Sequence, residues 1–132
     1  MKMKFTAMFT CMVAFALFSF KPLQQTPWNV PDAAKNKVNP LKGDAGSLTK
    51  GKELFTTHCK SCHGAKGKGD GSKASQLDTE CGDFTKATFQ AQTDGALFYK
   101  TSEGRKDMPS FKKKIPDTED MWAVVNYMRT LK

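Results

Sequence analysis

An all-α fold is predicted for this 132-residue chain on three observations. No segment reads convincingly as a strand. Two stretches, 47–62 and 117–131, carry apolar residues at helical spacing. Between them stands Cys59-Lys60-Ser61-Cys62-His63, whose outer positions are i, i+3 and i+4 and so share one face of a helical turn.

C-x-x-C-H is the attachment signature of a c-type haem. The two thiols add across the two vinyl groups of one porphyrin, and the imidazole of His63 then supplies one axial bond to the iron. A flat macrocycle needs all three on one side, which the turn provides. Two other chemistries use similar residues. A dithiol redox centre wants a strand before the motif, and residues 47–58 read as helix instead. A zinc site wants four tetrahedral ligands; Cys59, Cys62, Cys81 and His58 or His63 can be assembled on paper, but no second paired motif supports them. The motif occurs once, so one haem is expected.

The elements follow in order. Residues 1–20 read as a signal peptide: Lys2 and Lys4 are followed by an uncharged apolar run, Phe5 to Phe20. At 16 residues the run is short of the roughly 20 that span a bilayer. An uncleaved N-terminal anchor is the alternative, because Ala14-Phe15-Ala16 is a poor cleavage site. Cys11 lies inside the run as an apolar filler. Residues 21–46, with Pro22, Pro27, Pro31 and Pro40, read as a linker. Trp28 and Val30 are its only hydrophobic grip, so Trp28 either pins the arm to the domain or the arm is a loose tether.

The domain is expected over 47–132. Its first helix starts near Ser47, an N-cap residue type, and shows the stripe Leu48, Leu54, Phe55, Cys59, Cys62. Gly51 lies on the Phe55 face. It costs about 1 kcal/mol relative to alanine, which close approach by another helix would justify. Residues 64–71 hold four glycines and form a tight loop beneath the His63 side of the haem. Phe84 and Phe89 are candidates to cover the macrocycle edge, and Cys81 is an odd thiol with no assigned role. A middle helix runs from Thr93 to about Ser102 and stops at Gly104. The last begins near Asp117 or Thr118. Glu119 and Asp120 suit its positive end and Arg129 and Lys132 its negative end; Met121, Trp122, Val124, Val125, Met128 and Leu131 form its apolar side.

The second axial ligand must come from elsewhere. His58 belongs to the attachment helix and cannot reach across the ring. Met108 lies 45 residues after His63, far enough to wrap round the porphyrin, and Pro109 disfavours helix there. Met121 and Met128 sit at helical spacing and are more simply core; an open sixth position is the other alternative.

Five segments together resemble a known family: residues 48–55, the C-x-x-C-H motif, Gly67-Lys68-Gly69-Asp70-Gly71, Met108-Pro109-Ser110-Phe111 and Trp122-Ala123-Val124-Val125-Asn126-Tyr127. In this order they resemble a class I cytochrome c, the small bacterial monohaem type. The resemblance implies three main helices wrapped around one covalently bound haem, with Gly51 and Phe55 packed on Val124 and Tyr127. Cys81 is not part of the pattern. Iron held by His63 and Met108 has no place for substrate, so the expected role is one-electron transfer, alone or as the cytochrome subunit of a larger redox enzyme. A haem enzyme or ligand sensor in which Met108 detaches is the competing expectation. Export to the periplasm, or to the periplasmic face of the inner membrane, agrees with covalent haem attachment.

Charge adds a partner. The chain carries a formal +8, which becomes +6 once Lys2 and Lys4 leave with residues 1–20 and about +4 with two propionates. Arg105, Lys106, Lys112, Lys113 and Lys114 surround the Met108 loop and suit an acidic redox partner. The lysines are scattered without base-stacking aromatics, so nucleic acid is not expected. A monomer is expected.

Overall fold

The computed structural model describes residues 27–132; residues 1–20, expected to be a signal or anchor, Cys11 included, and the first residues of the arm lie outside them. Six helices appear in order: α1 (Asp32–Lys35), α2 (Ala45–His58), α3 (Lys60–His63), α4 (Ala87–Gln90), α5 (Asp94–Glu103) and α6 (Thr118–Met128), with a 3-10 turn at Ala74–Gln76. Among the described residues there is no strand, only an isolated bridge between Arg105 and Met108.

The long helices are set by their caps. Asp117 accepts from the amides of Glu119 and Asp120 at the head of α6, and Thr93 accepts from that of Ala96 at the head of α5. Gly104 closes α5 at φ 70°, a conformation open to glycine. α2 begins at Ala45, not at Ser47, because the Asp44 carboxylate caps the Gly46 amide at 2.8 Å. Asp and Ser are equal caps, which left the sequence free to use either.

α2 and α6 make the most extensive helix–helix contact. Gly51 permits it: a Cβ there would stand 2.0 Å from the Ala123 carbonyl oxygen and 3.0 Å from the Tyr127 Cβ. One turn on, Phe55 packs on Tyr127 with ring centroids 5.2 Å apart. The core continues through Leu97, Phe111, Ile115, Met121, Trp122, Val124, Val125 and Met128.

Residues 27–46 fold against this body. Val30 is 4% exposed and Asn39 6%. Asn39 donates to Asp94 at 3.1 Å and to the Asn126 side-chain oxygen at 2.7 Å. Asn126 in turn donates to the Leu41 carbonyl and the Ser47 hydroxyl. The Thr93 hydroxyl donates to the Lys35 carbonyl, α1 packs on α5, and Lys37 lies 4.3 Å from the centre of the Phe98 ring. Of the two expectations for the arm, the described part is the pinned one.

Candidate functional site

The attachment turn forms where α2 runs out. Cys59 is the joint between α2 and α3, its amide still bonded to the Phe55 carbonyl, while its own carbonyl accepts from both Cys62 and His63. The chain therefore stays helical through the motif and turns away only at Gly64, at φ 79°. The glycine loop closes underneath: the Gly69 amide bonds to the His63 carbonyl and that of Gly71 to the Cys62 carbonyl.

These residues open on a cavity of about 480 Å³, within the range of cofactor pockets. Cys59, Cys62, His63 and Met108 all line it, so the four residues singled out in the sequence are brought together. Phe55, Leu97, Phe111, Val124 and Met128 contribute apolar wall. Met121 does not line it and is core. His58 lies along the wall, its ring edge-on to Phe111 at 6.2 Å.

Electrostatics favour neutral forms. Burial, and then the neighbouring Cys62, push the Cys59 thiol up to about 12. Burial lowers His63 below its ordinary value, opposed by the Cys81 backbone, which keeps the imidazole in the neutral form a metal requires. The His63 Nδ1 is buried without a hydrogen-bond partner, the kind of nitrogen that costs about 1–3 kcal/mol unless something at the site satisfies it. Phe84 lies 4.5 Å from the His63 ring and stacks on Phe89 at 4.2 Å. Phe84 and Phe89 both line the cavity, but the buried Phe84 also steadies the imidazole, a role beyond covering an edge.

Met108 sits at the end of a tight hairpin. It exchanges both backbone hydrogen bonds with Arg105, at 2.8 and 3.0 Å, around Lys106 at φ 52°. Asp107 accepts from the Thr79 amide at 2.9 Å, Ser110 donates to the Ser102 carbonyl, and the Phe111 amide to that of Thr101. The loop is thus tied to α5 and to the segment across the cavity.

Sequence reasoning missed part of the lining. Pro27 and Trp28 reach the cavity from the arm, and Lys100, Arg105 and Cys81 also face it. A tryptophan in an otherwise polar stretch was the available signal. Of the five basic residues expected around the Met108 loop, Lys112 pairs with Glu103 at 2.6 Å, Arg105 lies against Trp28 and Lys114 lies over the Phe111 ring.

Among the described residues Cys59, Cys62 and Cys81 are free thiols, and a large apolar cavity has the His63 imidazole and the Met108 thioether on its wall. Among the described residues no three His, Cys, Asp or Glu side chains converge on one point. The cytochrome c family model matches residues 48–132.

The chain belongs to the cytochrome c family.

As a cytochrome c it carries covalently attached haem c and serves electron transfer. Among solved structures it is similar to the c-type cytochrome KustC0563, at 30% identity over 62% of this chain and 96% of that one, with a TM-score of 0.53. Two further similarities show the fold alone. A chain of the Kuenenia stuttgartiensis reducing HAO-like protein complex Kustc0457/Kustc0458 matches at 23% identity, covering 82% of this cytochrome and 52% of that chain, TM-score 0.60. Cytochrome CL from the marine methylotroph Methylophaga aminisulfidivorans MPT matches at 19%, covering 77% and 69%, TM-score 0.54. No curated protein matches. The matched family region begins at residue 48, so the arm with Trp28 lies outside it.

Proposed function

We propose that this cytochrome is an exported one-electron carrier, its haem attached through Cys59 and Cys62 and its iron ligated by His63 and Met108. The observation that carries this reading is the convergence of these four side chains on one apolar cavity. Haem bound there supplies an iron that alternates between two charge states, at a potential raised by His/Met ligation. The protein holds it. Cys59 and Cys62 fix its position, the buried His63 stays neutral, and the apolar wall excludes water. The hairpin ties of Met108 favour a ligand that stays in place over one that leaves to admit a substrate.

Export rests on residues 1–20 and on the chemistry of haem attachment. No helix of the described residues is long and apolar enough to cross a membrane, so a membrane tether would lie in the N-terminal segment. Lys106, Lys113 and Lys114 are exposed beside the Met108 loop and suit docking to an acidic redox partner. The protein acts as a monomer in this reading, as a free shuttle or as the cytochrome subunit of a larger redox enzyme.

The test is Met108→Ala in holoprotein purified from its own host. The visible spectrum is expected to change and the midpoint potential to fall. An unchanged spectrum and midpoint would remove Met108 from the iron.

A further inference from the structure

We propose that Trp28 is a positioning residue: it braces the Met108 hairpin through Arg105 and so holds the second axial ligand closed. The inference rests on Met108 ligating the iron, as read above. Trp28 reaches the cavity from the arm, outside the family-matched region, and its ring is engaged by two cations. The Arg105 guanidinium carbon lies 4.6 Å from the ring centre and the Lys100 ammonium 5.5 Å. Arg105 is the residue whose backbone exchanges both hydrogen bonds with Met108. A force on the guanidinium is therefore transmitted to the ligand through a two-residue turn.

The rest of the arm makes the brace stiff. Val30 is buried two residues later, and α1 and residues 35–37 are locked onto the head of α5, where a Gly95 Cβ would meet the Ala34 carbonyl oxygen at 2.2 Å. Lys100 belongs to that same α5. The indole thus adds a direct side-chain link between the arm and the hairpin, beside the ties that each already has to α5. Both cations lie against the same ring, which offsets part of their mutual repulsion; Lys100 is held below its ordinary value by burial and by the nearby Arg105.

Ferric holoprotein and cyanide test this. Cyanide enters only in the fraction of time that Met108 is off the iron, so its binding rate reports how often the hairpin opens. Wild type is expected to bind slowly and Met108→Ala fast. Trp28→Leu should bind about five- to thirtyfold faster than wild type, the factor that an interaction of about 1–2 kcal/mol represents. Trp28→Tyr should restore most of the slow rate. Arg105→Met should accelerate binding similarly, and the double variant Trp28→Leu/Arg105→Met should be no faster than either single one. Far-ultraviolet circular dichroism checks that each variant keeps its helices. A wild-type rate in Trp28→Leu overturns the brace, as does full additivity in the double variant. If wild type binds as fast as Met108→Ala, the ligand assignment has failed, and the brace falls with it for want of anything to hold.

Discussion

Gly51 sets how closely two helices meet. Alanine there would gain about 1 kcal/mol of helix propensity but would drive its Cβ into the Ala123 carbonyl, a backbone atom that no rotamer change can move aside. Overpacking of a fixed neighbour costs about 1–3 kcal/mol and at times more, so the clash wins. Gly51→Ala is expected to lower the holoprotein's stability by a net of up to about 2 kcal/mol, the cost of the clash less the propensity gain, read from the urea midpoint; a rise would show that α2 and α6 have room to part. This residue was legible in sequence because a helical glycine next to an apolar face demands a reason. Cys59, Cys62 and His63 were legible because covalent attachment fixes a local spacing. Met108 was reached by exhausting the histidines. Trp28 had no such logic behind it, since nothing local in the sequence says what an isolated aromatic will touch.

The arm shows at the level of elements why one segment escaped. Periodicity detects apolar faces, and residues 27–46 show no such pattern: Val30 is buried and Leu41 packs on the core, but Val38 is 82% exposed. Much of their grip is polar. Asn39 and Asn126 join the arm to α6, with Ser47 bringing in α2. Helix boundaries, by contrast, were read nearly to the residue at α5 and α6, where Thr93, Gly104 and Asp117 punctuate the chain. Asn126→Leu tests the polar clasp. It leaves the Leu41 carbonyl and one Asn39 amide hydrogen without the partners they have now, and unsatisfied buried groups cost about 1–3 kcal/mol each. For the two groups the holoprotein should lose about 2–6 kcal/mol. Amide exchange at Leu41, which bonds to the Asn39 side chain, should speed up more than that of α6. Equal acceleration at both sites would mean the arm has no separate clasp.

For the molecule as a whole, the cavity governs folding. A void of about 480 Å³, at about 24 cal/mol per Å³, represents up to ~12 kcal/mol. Domains of this size have about 5–15 kcal/mol in total. The figure is an upper one because water enters the empty site, yet it consumes most of the margin. Protein produced without haem is therefore expected to show reduced helical ellipticity and a broad melt. Native helix content with a sharp transition in that apoprotein would show that the chain packs unaided. The all-α architecture and its centre were readable in advance because α2, α5 and α6 all bear their apolar sides toward one place.

The ties around Met108 bear on transplantation. The hairpin is short, but its geometry is borrowed: Asp107 from Thr79, Ser110 from Ser102, Arg105 from Trp28. A protein engineer who moves residues 104–111 alone into another scaffold carries the thioether and leaves behind what aims it. The transferable module is the hairpin together with the last turn of α5, the strip around residue 79 and the arm's aromatic, four pieces of chain spread over 84 positions from Trp28 to Phe111.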